Sequence, residues 1–107
     1  MGKFLGISGG AIELKDRVAV RSASQLAGTL SSSKEYFIDG VIDMGNQSIE
    51  VPAGGLYLTG YNFDTSKLIS SEPNYTMFTS PVGGSGNVLG KDYGMEVTGA
   101  NSKVYDI

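Results

Sequence analysis

The sequence predicts a mainly β protein, and more closely a β-solenoid in which short strands stack in successive coils. Sixteen glycines against three prolines, with few windows long enough for a helix, are typical of many short strands joined by tight turns. The stretch GLYLTGYN at 55–62 is repeated in similar form as GMEVTGAN at 94–101. Apolar residues also recur at intervals of about 20 residues. An antiparallel sandwich or barrel is the alternative, because ordinary strands and turns produce similar spacings.

The repeat consists of apolar positions that return at nearly constant spacing. Its three columns are Ile38, Leu58, Phe78 and Val97; Ile49, Ile69 and Leu89; and Tyr36, Leu56, Thr76 and Met95. A coil of about 20 residues cannot bury its inward face alone, so neighbouring coils stack and share one core. On this interpretation the similar segments 55–62 and 94–101 lie two coils apart, and about three and a half coils fit between Ile38 and the end of the sequence.

The chain divides into a lead and one domain. Residues 1–10 contain four glycines and are predicted to be a flexible N-terminal lead. Residues 11–35 hold two short strands, around Ile12 and Val20, followed by a short capping helix. Residues 36–107 form the coils, in one domain with 11–35.

The predicted helix lies in the stretch SASQLAGTL at 22–30. Ser22 or Ser24 is the expected N-cap, because a serine hydroxyl accepts a hydrogen bond from an unpaired amide of the first turn. Leu26 and Leu30 follow at the spacing that places them on one helix face.

If Ile38, Leu58 and their equivalents point inward, the residues before them point outward. Those residues are Phe37, Tyr57, Met77 and Glu96, three of them large and apolar. An exposed apolar row is unusual on a monomer, so Phe37, Tyr57 and Met77 are predicted to form an interface.

Tyrosine is the abundant aromatic residue in this chain, which has six tyrosines and no tryptophan. An exposed tyrosine stacks on a sugar ring and offers a hydroxyl for hydrogen bonding. Tyr57, Tyr61 and Tyr75 are therefore the candidate binding residues for a glycan or a partner, with packing in the core as their other use.

Composition argues against catalysis, metals and nucleic acid. Without cysteine or histidine the chain lacks most nucleophile–base pairs and the commonest transition-metal ligands. Asp39 and Asp43 would lie about 13 Å apart in an extended strand, too far for a glycosidase pair. A net charge of −3 gives no basic patch for nucleic acid. We therefore predict no catalytic residue, no metal, no cofactor, no nucleic-acid partner and no membrane insertion, since neither a signal peptide nor a membrane span is visible.

The run YFIDGVIDMGNQSIEVPAGGLYL at 36–58 resembles the first coils of the right-handed parallel β-helix in phage tailspikes and related appendage proteins, a fold also found in pectate-lyase-like enzymes. In that family a short capping helix precedes Ile-Asp-Gly, Ser-Ile, Val-Pro and Gly-Gly elements like those at 38–40, 48–49, 51–52 and 54–55. The resemblance covers residues 22–107, and Pro52 with Gly54-Gly55 also suits the corner into the next coil.

The resemblance implies a structural and binding module of a phage tail appendage, located in the virion, soluble and homotrimeric. Its expected partners are other virion tail proteins and bacterial surface polysaccharide. A fragment of a polysaccharide-degrading β-helix enzyme, with its catalytic coils outside this chain, is the alternative. A free-standing β-solenoid interaction protein is a third possibility, because this fold does not fix function.

Overall fold

The computed structural model describes residues 16–81 and 83–106, which form a mainly β protein with one short helix. The elements in chain order are β1 (Asp16–Val20), α1 (Ser24–Ala27), β2 (Lys34–Ile38), β3 (Val41–Asp43), β4 (Ile49–Glu50), β5 (Leu56–Gly60), β6 (Lys67–Ser70), β7 (Thr76–Thr79), β8 (Val88–Lys91), β9 (Gly94–Val97) and β10 (Lys103–Asp106). The predicted lead at 1–10 and the strand predicted around Ile12 lie outside the described residues.

The strands form three parallel sheets. One sheet has the order β1-β2-β5-β8, the second β3-β6-β9 and the third β10-β7-β4. From β2 onward, successive strands lie in different sheets, and each strand pairs with the one three places later. All of these pairs are parallel, so the antiparallel sandwich or barrel is wrong.

The predicted spacing of about 20 residues holds only in the first part of the four-stranded sheet, where Val20 pairs with Ile38 and Glu35 with Tyr57, 18 and 22 positions apart. In the other pairs it is wrong. Val41 pairs with Lys67 and Lys67 with Gly94, which are 26 and 27 positions apart. Phe78 pairs with Ile49, 29 positions earlier. The predicted columns therefore mix the sheets: Leu58 lies in β5, Phe78 in β7 and Val97 in β9. The similar segments 55–62 and 94–101 contain β5 and β9, which belong to different sheets and do not pair.

Apolar side chains from all three sheets meet in one core. In the four-stranded sheet, Val18 pairs with Tyr36 and Tyr36 with Leu58, while Val20 pairs with Ile38. These inward positions alternate with outward ones, as the pleat of a strand requires. The fully buried side chains include Val20, Ile38, Met44, Ile49, Leu58, Leu68, Met77 and Phe78. Each of the larger ones contributes about 1.5–3 kcal/mol by leaving water.

The short helix α1 adds Leu26 to this core, and Leu30 packs there from the segment after it. The predicted serine cap is wrong: the N-cap position is Ala23, with no side-chain cap. The amides of the first turn bond to backbone carbonyls instead, since those of Gln25 and Leu26 donate to Ser22 and Ala23 at 3.2 and 3.0 Å. The Gln25 side chain folds back to the segment before the helix, where its Oε1 accepts from the amides of Arg21 and Ser22 at 2.6 and 3.1 Å.

The corner before β5 forms where the sequence placed it. The amide of Gly55 donates to the carbonyl of Pro52 at 2.9 Å, and Gly55 has a φ of +98°. A side chain is strained in that conformation, so glycine is required at this position. The chain turns there into the four-stranded sheet.

Candidate binding surface on the four-stranded sheet

The four-stranded sheet turns alternate side chains away from the core, and these side chains form one surface. Tyr36 and Ile38 are buried in the core, so Glu35 and Phe37 of the same strand point outward. Glu35 pairs with Arg17 on one side and with Tyr57 on the other, and Tyr57 pairs with Leu89. We call this surface the outer face; it consists of Arg17, Arg21, Glu35, Phe37, Asp39, Tyr57, Thr59, Tyr61, Leu89 and Lys91, the last of which pairs with Thr59.

A buried carboxylate organises the middle of the outer face. Glu35 is only 8% exposed although it points outward. Its Oε2 lies 2.9 Å from the guanidinium of Arg17 and accepts a hydrogen bond from the Thr59 hydroxyl at 2.5 Å. Because burying an unpaired charge is costly, these two partners keep the carboxylate stable in this position.

The same arginine fixes an aromatic ring. The guanidinium carbon of Arg17 lies 4.5 Å from the centre of the Phe37 ring, within the range of a cation–π interaction. The edge of Tyr61 meets Phe37 with the ring centres 4.7 Å apart at 86°. Phe37 is therefore held between a charge and a second ring, and Tyr61 remains 60% exposed.

A second ion pair lies beside these rings. Arg21 donates from Nε to Asp39 Oδ2 at 2.9 Å. Asp39 also raises the pKa of Tyr61, first through a hydrogen bond to the phenol and then through its negative charge. The ring of Tyr61 faces solvent beside this ion pair.

A cavity of about 160 Å³ opens at the end of the outer face beside Tyr57. Tyr57 and Leu89 line it from the sheet, and Ser32, Asn87 and the backbone of Gly54 and Gly55 line it from the corners before β2, β8 and β5. None of its lining residues is an acid, lysine or arginine. The cavity is thus uncharged and combines an aromatic side with polar corners.

A larger cavity of about 300 Å³ lies near β8, β9 and β10, with Tyr93, Met95 and Tyr105 in its lining. Burial raises the pKa of Tyr93 to about 12, with a smaller contribution from Tyr105. This cavity is separate from the Tyr57 cavity, and its lining combines apolar side chains with the charged residues Lys91 and Asp92.

The predicted site residues separate into two groups. Tyr57, Tyr61 and Phe37 lie together on the outer face, although Tyr57 and Phe37 are half-buried. Met77 is fully buried, so its predicted place in an exposed row is wrong. It lies in β7 of another sheet, next to Phe78, which is also fully buried.

Tyr75 was also a candidate binding residue, but it is only 4% exposed and so is unavailable to a glycan. Its hydroxyl donates to the carbonyl of Gln47 at 2.6 Å. Burial raises the pKa of Tyr75 to about 12, and the negative charge of Asp43 adds to that rise. Packing in the core, the other use considered for these tyrosines, describes Tyr75.

Several residues of the surface were missed by the sequence analysis, namely Arg17, Glu35, Thr59, Asn87 and Leu89 as members of one site. Leu89 follows Tyr57 by 32 positions and Glu35 precedes it by 22, so no constant spacing links them. The opposite charges of Arg17 and Glu35 would have indicated this site if the register of β1 and β2 had been known.

The two acids considered as a glycosidase pair have other partners. Asp39 forms an ion pair with Arg21, and Asp43 Oδ1 accepts a hydrogen bond from the Gly45 amide at 2.9 Å in a turn.

Within residues 16–81 and 83–106, no group of three or more acidic, histidine or cysteine side chains is placed to hold a metal ion. No helix in the same residues has the length and apolar character needed to cross a membrane. No protein-family model, curated protein or solved structure matches the chain.

Proposed function

We propose that this chain is a structural and binding module of a phage tail appendage, such as a tailspike or receptor-binding protein, in which a short right-handed parallel β-helix supports recognition of glycans on the host surface. The observation that carries the proposal is the outer face, where aromatic rings and polar groups are held in fixed positions on a parallel sheet. The resemblance of residues 36–58 to the first coils of such proteins supplies the biological setting.

The order of the strands supports the β-helix part of the proposal. Nine strands, β2 to β10, visit the three sheets in the same rotation three times. A chain that winds around one core in coils of three strands follows that order. The right-handed sense is the one that parallel strand crossovers strongly prefer.

The outer face suits sugars because it offers rings together with hydrogen-bonding groups. Phe37 and Tyr61 present aromatic surface, and the exposed Tyr61 carries a hydroxyl for hydrogen bonding. The contact with Arg17 holds Phe37 before any ligand arrives, so binding requires little additional ordering of side chains. The carboxylates of Glu35 and Asp39 are both engaged in ion pairs, which favours binding without turnover over hydrolysis.

The test is binding to purified bacterial surface polysaccharides, measured by titration calorimetry with capsular and O-antigen fragments from a panel of hosts. Tyr61→Ala is expected to weaken binding about tenfold, because it removes the most exposed ring of the outer face. Phe63→Ala is the matched control, since Phe63 is 65% exposed and lies outside the outer face. Equal loss in both variants, or degradation of the polysaccharide, would argue against the proposal, and degradation would favour the enzyme fragment.

The proposed partners are two further copies of the chain and other virion tail proteins. Met77 is buried in the core, and Phe37 and Tyr57 belong to the face proposed to bind glycan, so the homotrimer is proposed here without the predicted interface row. Light scattering across a dilution series, with Tyr57→Glu alongside, tests the homotrimer. A trimer that Tyr57→Glu leaves intact supports this arrangement, while a folded monomer at every concentration removes the trimer and leaves glycan binding to be judged by calorimetry. Detection of the chain in purified phage particles tests the location.

A further inference from the structure

We infer that the cavity beside Tyr57 is a subsite for one neutral pyranose ring of the bound glycan. The inference rests on the proposed glycan-binding function and adds to it a position, a size and a charge class. It also places the end of the glycan chain, because the cavity lies at one border of the outer face.

The volume selects a single ring. At about 160 Å³ the cavity is roughly half the smallest of the pockets that hold drug-sized ligands, which span about 300–1,000 Å³. An oligosaccharide does not fit inside it, whereas one ring does. The remaining sugars of a longer chain would then extend over Phe37 and Tyr61.

The lining selects a sugar over an apolar ligand. Tyr57 and Leu89 supply the apolar side, and Asn87 supplies an amide that both donates and accepts hydrogen bonds. Within the described residues, neither the Tyr57 hydroxyl nor the Asn87 side chain takes part in a hydrogen bond. A sugar presents a C–H face for the ring and hydroxyls for both polar groups, and this combination matches the cavity.

The absence of ionisable acids and bases from the lining selects a neutral sugar. Glu35, which pairs with Tyr57 in the sheet, is bound to Arg17, and Lys91 of the same face does not line the cavity. A uronic or sialic acid would lose water from its carboxylate in the cavity and gain no cation in return. Neutral hexopyranoses avoid that cost.

The cavity is rigid because its corners are in backbone contact. The amide of Leu56 donates to the carbonyl of Asn87, and the amide of Gly86 donates to that of Pro52, both at 2.9 Å. A Cβ at Gly86 would lie 2.3 Å from the Gly55 nitrogen, so these corners approach as closely as glycine permits. The site therefore exists before the ligand binds, and little affinity is lost in forming it.

The experiment is an amide NMR titration of the ¹⁵N-labelled full chain with the methyl glycosides of glucose, galactose and mannose, and with methyl glucuronide as the charged comparison. At least one neutral glycoside is expected to shift the amides of Gly55, Tyr57 and Asn87, with a Kd in the millimolar range. Tyr57→Ala should weaken that binding about tenfold, and Asn87→Ala between about twofold and tenfold, the range of one neutral hydrogen bond. Asn46→Ala is the control, because Asn46 is an exposed amide in the turn after β3.

The outcomes separate the subsite from the proposed function. Shifts confined to Phe37 and Tyr61 overturn the subsite and leave glycan binding on the outer face in place. No shift with any neutral glycoside, up to its solubility, overturns the subsite alone, because polysaccharide calorimetry judges the function independently. Preference for the glucuronide overturns the neutral class. A trimer that Tyr57→Glu dissociates places the cavity in an interface and also overturns the inference.

Discussion

Replacement of Phe78 by alanine is the most direct test of how the strands are stacked. Phe78 is fully buried in β7, where it pairs with Ile49 of β4 and with Tyr105 of β10. Its ring stacks on that of Tyr105 with the centres 5.4 Å apart. Truncating a buried phenylalanine to alanine leaves a cavity and costs about 3–5 kcal/mol. A domain of this size is stable by about 5–15 kcal/mol in total, so the variant should lose between about a fifth and all of its stability.

Urea unfolding, followed by circular dichroism, measures the loss. With a dependence on urea of about 1–3 kcal/mol per molar, a loss near 4 kcal/mol lowers the midpoint by about 2 M. Phe63→Ala is the control, since Phe63 is 65% exposed and should change stability by less than about 0.5 kcal/mol. Tyr105→Ala should fall between them at about 1 kcal/mol, because it removes one half-exposed member of the ring stack. If Phe78→Ala costs no more than Phe63→Ala, the β4-β7-β10 register described above is refuted.

Two further predictions concern backbone contact and alkaline pH. Gly99→Ala should lower the free energy of unfolding by about 1–3 kcal/mol in the same urea assay, because the added Cβ would lie 2.0 Å from the carbonyl oxygen of Glu72. Gly28→Ala is the control and should be neutral or slightly stabilising, since no atom lies within 4 Å of its Cβ. Equal effects of the two substitutions would contradict the contact between Gly99 and Glu72. Burial raises the pKa of Tyr75 and Tyr93 to about 12 from near 10, so stability held by their neutral phenols is complete below pH 10 and is lost as the pH rises through about 12. Ultraviolet titration should show tyrosinate formation near pH 12 that disappears when Tyr75 and Tyr93 are both replaced by phenylalanine. If that step persists in the double variant, the raised pKa values do not belong to Tyr75 and Tyr93.

The sequence predicted the class of the fold because class depends on local chemistry. Glycine at the corner before β5 and alternating apolar residues in β2 and β5 are local signals, and both are present in the structure. The predicted spacing of about 20 residues failed because every strand has inward apolar residues. Their recurrence therefore shows where strands occur and does not show which strands pair. From Leu58 to Phe78 the chain advances two strands, whereas pairing joins strands three apart, as in Val41 with Lys67.

The candidate site was less predictable than the fold because it depends on register. Tyr57 and Tyr61 were identified as exposed tyrosines, and both lie on the outer face. Tyr75 was grouped with them, since nothing in its own sequence neighbourhood reveals that its hydroxyl bonds to Gln47, 28 positions away. Glu35 looks like any surface acid until its alignment with Arg17 is known.

The irregular spacing that hid the register also explains where the cavity lies. The corners before β2, β5 and β8 follow one another along the four-stranded sheet, and the pairing distance between these strands grows from 22 to 32 positions. In these corners hydrogen bonds such as that from the Leu56 amide to the Asn87 carbonyl hold the backbones together at some points, and the segments of unequal length leave space between them. The cavity beside Tyr57 lies where the four-stranded sheet meets these corners, whose lengths differ from one strand pair to the next. Substitutions and insertions in those corners would therefore change the shape of the cavity while leaving the core that Phe78 and Leu58 fill unaltered.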